Sequence, residues 1–180
     1  GKDFKKLEDI RLTYADKWIL SRLNNVVKEV TINLNKYEIG LATGKLYDFV
    51  WSDFCDWYIE ATKPMLYGDN ERAKLNALTV LNFVLDEILK LMHPFIPFVT
   101  EEIYQYKQTG KRHALMMQEW PKYNKKFNYY KEAKAFEGVM DIIKAIRNVR
   151  NEMQVAPSKK IKVYVKAGEH AAVVEKLSTY

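Results

Sequence analysis

The sequence predicts a mainly α fold, a helical bundle followed by a short β-strand and helix at the C-terminus. Two observations carry this prediction. From Thr13 to Gln154 apolar residues recur every three or four positions, the period of one face of a helix. Only beyond Pro157 does the spacing fall to two, where Ile161, Val163 and Val165 alternate with Lys162, Tyr164 and Lys166. The 180 residues, 48% apolar and 29% charged, suffice for a real core under a normal charged surface.

In the first helix, starting near Thr13–Asp16 and ending before Tyr37, Ile19, Leu23, Val26, Val30 and Leu34 form one stripe. The second, about Leu41 to Lys63, carries Ala42, Leu46, Phe49, Val50, Phe54, Trp57 and Ala61 on one side, with Tyr47, Trp51 and Tyr58 elsewhere. So wide an apolar circumference predicts the most buried helix of the bundle. Lys63-Pro64 predicts its end, because the residue before a proline disfavours helix. Gly68-Asp69-Asn70 makes a turn, with Asp69 or Asn70 as N-cap of a third helix from Glu71 to Met92. That helix uses Leu75, Leu78, Leu81, Leu85, Ile88 and Met92, and His93-Pro94 stops it.

Pro97 suits the first turn of a short fourth helix through Tyr104. A polar loop from Lys107 to Arg112 and a Trp120-Pro121 turn lead to a fifth helix, Lys131 to Gln154. Its stripe is Phe136, Val139, Ile143, Ile146 and Met153. Gly168 opens a final helical segment that reads as truncated. Residues 1–155 thus form the bundle, and residues 156–180 a loop, a strand and the start of a C-terminal α/β segment.

Several function classes lack support. No apolar run approaches the ~20 residues of a membrane span, and the N-terminus has no signal-peptide core. A single cysteine forms no intrachain disulfide and fits a cytoplasmic location. Cys55 stands between Asp53 and Asp56 on a helix, where the carboxylates oppose the thiolate a nucleophile needs. No second cysteine or nearby histidine completes a metal site, so Cys55 reads as packing. His93, His113 and His170 form no triad spacing, and seven scattered glycines make no phosphate loop. No catalytic and no metal-binding residue is expected.

The net charge of +6 points to an acidic partner. Between Lys131 and Lys166 nine Lys or Arg face four acids, so this stretch supplies most of the surplus. In the fifth helix Lys144, Arg147, Asn148 and Asn151 lie off the apolar stripe, Arg150 falls on its line, and Lys159 and Lys160 follow in a loop. Such a series tracks a phosphate backbone or forms a solvated face. Trp18 lies beside the first stripe, flanked by Lys17 and one turn from Arg22. It is either a stacking platform for an unpaired base or a packing residue across the bundle.

Read in order, several runs resemble the valyl-tRNA synthetase family of class I aminoacyl-tRNA synthetases. They are Ala15-Asp16-Lys17-Trp18-Ile19-Leu20-Ser21-Arg22-Leu23, Leu46-Tyr47-Asp48-Phe49-Val50-Trp51 and Phe54-Cys55-Asp56-Trp57-Tyr58-Ile59-Glu60. To these add the run from His93-Pro94 to Glu101-Glu102-Ile103, of which leucyl and isoleucyl relatives carry versions, and Ile146-Arg147-Asn148-Val149-Arg150-Asn151-Glu152-Met153; the Phe54-Cys55-Asp56-Trp57-Tyr58 run points to the valyl member. The resemblance spans residues 13 to 166 and implies the anticodon-binding helical bundle that follows the catalytic domain.

The resemblance implies tRNA, specific for valine, as partner, with the catalytic domain of the same longer chain as neighbour. On this reading Trp18 stacks on an anticodon base, Lys17 and Arg22 contact phosphate or base, and Arg147, Arg150, Lys159 and Lys160 grip the stem. The family's two ATP-site signatures do not occur here. Valine activation with ATP and Mg is therefore expected of the parent enzyme, with no cofactor in this chain. The family also carries a further bundle helix upstream of the first, without which an apolar groove is expected to lie open. The equivalent domain of an isoleucyl or leucyl synthetase and a helical protein-interaction module are the rival readings.

Overall fold

The structure is a computed structural model and describes residues 6–108, 112–156 and 158–164. Its centre is α1 (Tyr14–Asn35), with eleven buried residues including Trp18, Ile19, Leu20, Leu23, Val26, Val27 and Val30. The second helix, expected to be the most buried, instead packs on one side of α1, with α4 (Glu71–Met92) and α6 (Tyr130–Glu152) on others. Thr13 opens α1 with a capping box: its Oγ1 accepts from the Asp16 backbone N–H at 3.1 Å, and its own N–H donates to Asp16 Oδ2 at 2.8 Å. The other Asp16 oxygen accepts from the Tyr58 hydroxyl at 2.6 Å, tying the cap to the next rod. At the far end Tyr37 stands at φ 59° while the Glu38 N–H donates to the Asn33 carbonyl at 2.8 Å. This is a Schellman closure without glycine.

The second rod is continuous but changes register. It runs as α2 (Ile39–Asp48), a π-helical stretch over Phe49–Ile59, and α3 (Glu60–Tyr67). The wider i→i+5 register accounts for a difference from the sequence reading. Phe49, Phe54 and Tyr58, spaced five and four, form the buried line. Tyr58 is fully buried, whereas Val50 and Trp57 are only partly so. The rod also passes through Pro64, where the sequence placed its end. In the π register the Ile59 carbonyl would look to the nitrogen of Pro64, which has no hydrogen; the Thr62 hydroxyl donates to it instead at 2.8 Å. The helix stops only at Gly68, where a Cβ would lie 2.8 Å from the Pro64 carbonyl.

Asn70 caps α4 (Glu71–Met92), its side chain accepting from the N–H groups of Arg72 and Ala73 at 3.1 and 3.0 Å. The core line of α4 is Ala77, Val80, Val84, Ile88 and Leu91, one position around from the expected leucines. Leu81 and Leu85 pack half-buried at its margin. Pro97 begins α5 (Pro97–Lys107), and the His93 ring bonds the buried Thr100 hydroxyl at 2.8 Å.

The segment after α5 is pinned to α1 by polar side chains. Trp120 Nε1 donates to Thr31 Oγ1 at 2.9 Å. Asn24, nearly fully buried, donates to the Asn124 carbonyl at 3.0 Å and to Asn128 Oδ1 at 2.9 Å, and accepts from the Asn124 N–H at 2.8 Å. Ser21 donates to the Phe127 carbonyl at 2.8 Å and accepts from the Tyr129 N–H at 3.0 Å.

α6 (Tyr130–Glu152) then runs antiparallel to α1, with Phe136, Val139 and Met140 buried. Ile143 and Ile146 are only half-buried and Met153 is 71% exposed, contrary to the predicted stripe. The pairings explain this: residue 124 lies beside 24, 129 beside 21 and 132 beside 17. Beyond Met140 the helix has outrun the first turn of α1. A second Schellman closure follows, with Gln154 at φ 51° and the Val155 N–H donating to the Arg150 carbonyl at 2.8 Å.

The predicted strand is not formed. Ile161, Lys162, Val163 and Tyr164 are exposed and outside any strand, and no other strand exists among the described residues for them to pair with. Val165, Lys166 and the segment opened by Gly168 lie outside the described residues.

Candidate nucleic-acid interface

The predicted recognition residues fall at two places on α1 and α6. At the first, Trp18 is 1% exposed, so the stacking-platform expectation is corrected. Its ring packs on Phe136 with centroids 5.2 Å apart, and Nε1 donates to Glu137 Oε1 at 3.3 Å. No face is left for a base. The off-stripe position that suggested exposure is covered by α6. Lys17 is also engaged, its Nζ 2.6 Å from Glu132 Oε1 and 5.4 Å from the centre of the Tyr129 ring. That contact holds the Glu132 carboxyl below the usual range.

Arg22 donates through Nε to Asp53 Oδ2 at 2.7 Å. Burial nevertheless pushes the Asp53 carboxyl above its ordinary range, with Arg22 opposing the shift and the neighbouring Glu137 adding to it. Arg22 lines a cleft of about 480 Å³ between α1, the segment before α6 and the first turns of α6. Its walls include Asn25, Tyr123, Asn128, Tyr130, Lys134 and Glu137. Spacing alone did not single these out, because Tyr123 and Asn128 reach α1 only through the pinned loop. The run Asn128-Tyr129-Tyr130-Lys131, aromatic and basic at a helix start, was the available signal.

The second place is the distal half of α6. Arg147 Cζ lies 5.4 Å and Lys144 Nζ 5.6 Å from the centre of the Trp57 ring. Both are exposed cations held over an aromatic face, which fixes their position at small entropic cost. Arg150 is used differently. Its guanidinium donates to the carbonyls of Ala156 at 2.8 Å and Lys159 at 2.6 Å, so it ties the chain after α6 back to the helix. The Arg150 guanidinium, expected to grip phosphate, is thus engaged as a tether through one of its nitrogens. Lys159 and Lys160 are exposed at the end of that tied segment. Lys134 and Arg147 lie about 20 Å apart along α6, at ~1.5 Å per residue.

Among the described residues no group of three or more His, Cys, Asp or Glu could hold a metal, and no helix is long and apolar enough to cross a membrane. Cys55 is half-buried against the core, and burial together with Asp56 pushes its thiol up.

A helical bundle that carries cations along one helix and a polar aromatic cleft at that helix's root has the surface of a recognition domain. The family described as the anticodon-binding domain of tRNA ligase matches residues 16–165, and the chain belongs to it. It is similar to the valine–tRNA ligase of Clostridium acetobutylicum, 49% identical over 90% of this chain and 18% of that protein. The valine–tRNA ligase of Clostridium perfringens is 48% identical over 87% of this chain and 18% of the relative. That of Bacillus thuringiensis subsp. konkukian is 41% identical over 96% and 20%. The chain thus spans about a fifth of the length of the curated relatives it matches.

Proposed function

We propose that this chain is the tRNA-recognition domain of a valine–tRNA ligase. The observation that carries the reading is the exposed pair Lys144 and Arg147, fixed over Trp57, on the same helix whose first turns wall the Arg22 cleft. Cations so spaced suit a phosphate backbone, and each released counterion makes binding fall with salt. Lys159 and Lys160, held close to α6 through Arg150, extend the grip. In the parent enzyme this grip orients the tRNA so that its acceptor end reaches the catalytic domain, where valine is activated with ATP and Mg.

The catalytic domain of the same longer chain is the proposed neighbour of α5. Phe98, Val99, Ile103 and Tyr106 share one helical face and are 90%, 57%, 41% and 91% exposed. An apolar face of that extent suits a covered interface.

Titration with valine tRNA and a non-cognate tRNA at two salt concentrations tests the function. Tighter binding of valine tRNA, weakening steeply with salt, is expected. Equal affinity for both tRNAs leaves tRNA recognition standing and removes the valine assignment. Binding that ignores salt overturns the electrostatic grip.

A further inference from the structure

We infer that the cleft at the root of α6 is a pocket for one unpaired nucleotide of single-stranded RNA. The base would stack on Tyr130, its edge would meet Asn25 and Glu137, and its phosphate would lie on Lys134. This rests on the RNA-binding reading above and names which groups read a base, as distinct from those that hold backbone.

Volume, surface and unused valence converge on this assignment. At about 480 Å³ the cleft is within the usual range for a small ligand and has room for a base with its sugar. Its rear wall is rigid because its polar groups already have partners. Asn128 accepts from Asn24 at 2.9 Å and donates to the Tyr123 hydroxyl at 2.6 Å, while Ser21 is held at both its donor and its acceptor. The mouth is the opposite. Tyr130 is 74% exposed at the first position of α6, and Asn25 and Lys134 are exposed without a hydrogen bond or ion pair among the described residues.

A tyrosine face, an amide that both donates and accepts, a carboxylate acceptor and a free ammonium match the parts of one nucleotide. Stacking accepts any base, the amide and carboxylate engage base-edge groups, and Lys134 takes the phosphate. Arg22 closes the inner end, oriented by Asp53. A duplex would present only paired edges and could not enter.

The test uses this chain and an RNA hairpin bearing a fluorescent purine analogue at each unpaired loop position in turn, beside a loop-free duplex. Binding should quench the analogue at one loop position, as stacking on an aromatic ring does. Tyr130→Ala should abolish that quench and weaken the hairpin roughly tenfold while leaving the salt dependence in place. Tyr130→Phe should restore the quench. Lys144→Ala with Arg147→Ala should flatten the salt dependence and keep the quench. Salt-dependent hairpin binding without a quench at any position, or a quench that survives Tyr130→Ala, overturns the pocket and leaves the tRNA reading intact. Equal binding of hairpin and duplex also overturns it. Absence of any salt-dependent binding overturns both.

Discussion

Arg22 on α1 donates to Asp53 on the π-helical stretch at 2.7 Å, joining the central helix to the turn of the second rod that changes register. Asp53 is the more buried partner, with its side chain 14% exposed against 41% for Arg22. Its carboxyl is held above the ordinary range, so its ionised form is already costly in the fold. Arg22→Ala removes the opposing cation and drives it further up. A group raised in the folded state favours the fold below its unfolded pKa and loses that contribution as pH rises through the folded pKa. The variant should therefore lose about 1–2 kcal/mol at neutral pH, discounted for the exposure of Arg22, and less at acid pH. Denaturant titrations at the two pH values check this; an equal loss at both would show that the pair is not its cause.

Trp18→Ala should destabilise the bundle by about 3–5 kcal/mol, the range for truncating a buried aromatic. Trp18→Phe keeps the contact with Phe136 and loses only the bond to Glu137. It should cost about 1 kcal/mol and leave the salt dependence of RNA binding unaltered, any loss of affinity matching that of Glu137→Gln. A folded Trp18→Phe protein that binds RNA far more weakly than Glu137→Gln would return Trp18 to the interface.

Asn24 makes three bonds to the segment before α6 from a buried site. Asn24→Leu should cost about 2–4 kcal/mol, since it strands the Asn124 backbone groups and Asn128 together. Thermal unfolding measures the loss. Amide exchange near Tyr129 should quicken in the same variant.

Tyr37 and Gln154 close their helices at φ 59° and 51°, conformations that cost most residues energy. Tyr37→Gly and Gln154→Gly should each raise stability by about 0.5–1 kcal/mol, read as a higher denaturation midpoint. A drop at Tyr37 would show that its side chain, 89% exposed, contributes more than its backbone costs.

Helix existence was legible because amphipathic spacing survives any packing detail: α1, α4 and α6 begin and end within two residues of where periodicity and caps place them. Which side of each helix faces inward was less so. In α4 the leucines and the small valines lie on adjacent lines, and contact with α1 selects the valines. The second rod misled because a three-to-four-residue period cannot describe a five-residue turn. Ile161 to Tyr164 alternate like a strand, but alternation says nothing of a partner. For the site, the basic run on α6 was visible in sequence. Tyr123, Asn25 and Tyr130 were not, since their proximity depends on Asn24 and Ser21 fastening a distant segment to α1. Trp18 failed for the same reason, its cover arriving from more than a hundred residues away.

The stretch Phe49–Ile59 also bears on how the length of this chain can vary. Losing one residue from an α-helix turns everything beyond it by about 100°, which in α4 would swing Val84, Ile88 and Leu91 out of the core. A wide-register segment holds surplus residues per turn. A single deletion between Val50 and Ser52 can be absorbed by tightening one turn to the ordinary α period. Related chains that differ by one residue in this region should thus keep the same inner surface on α3, which makes this rod a place where a length change is cheap.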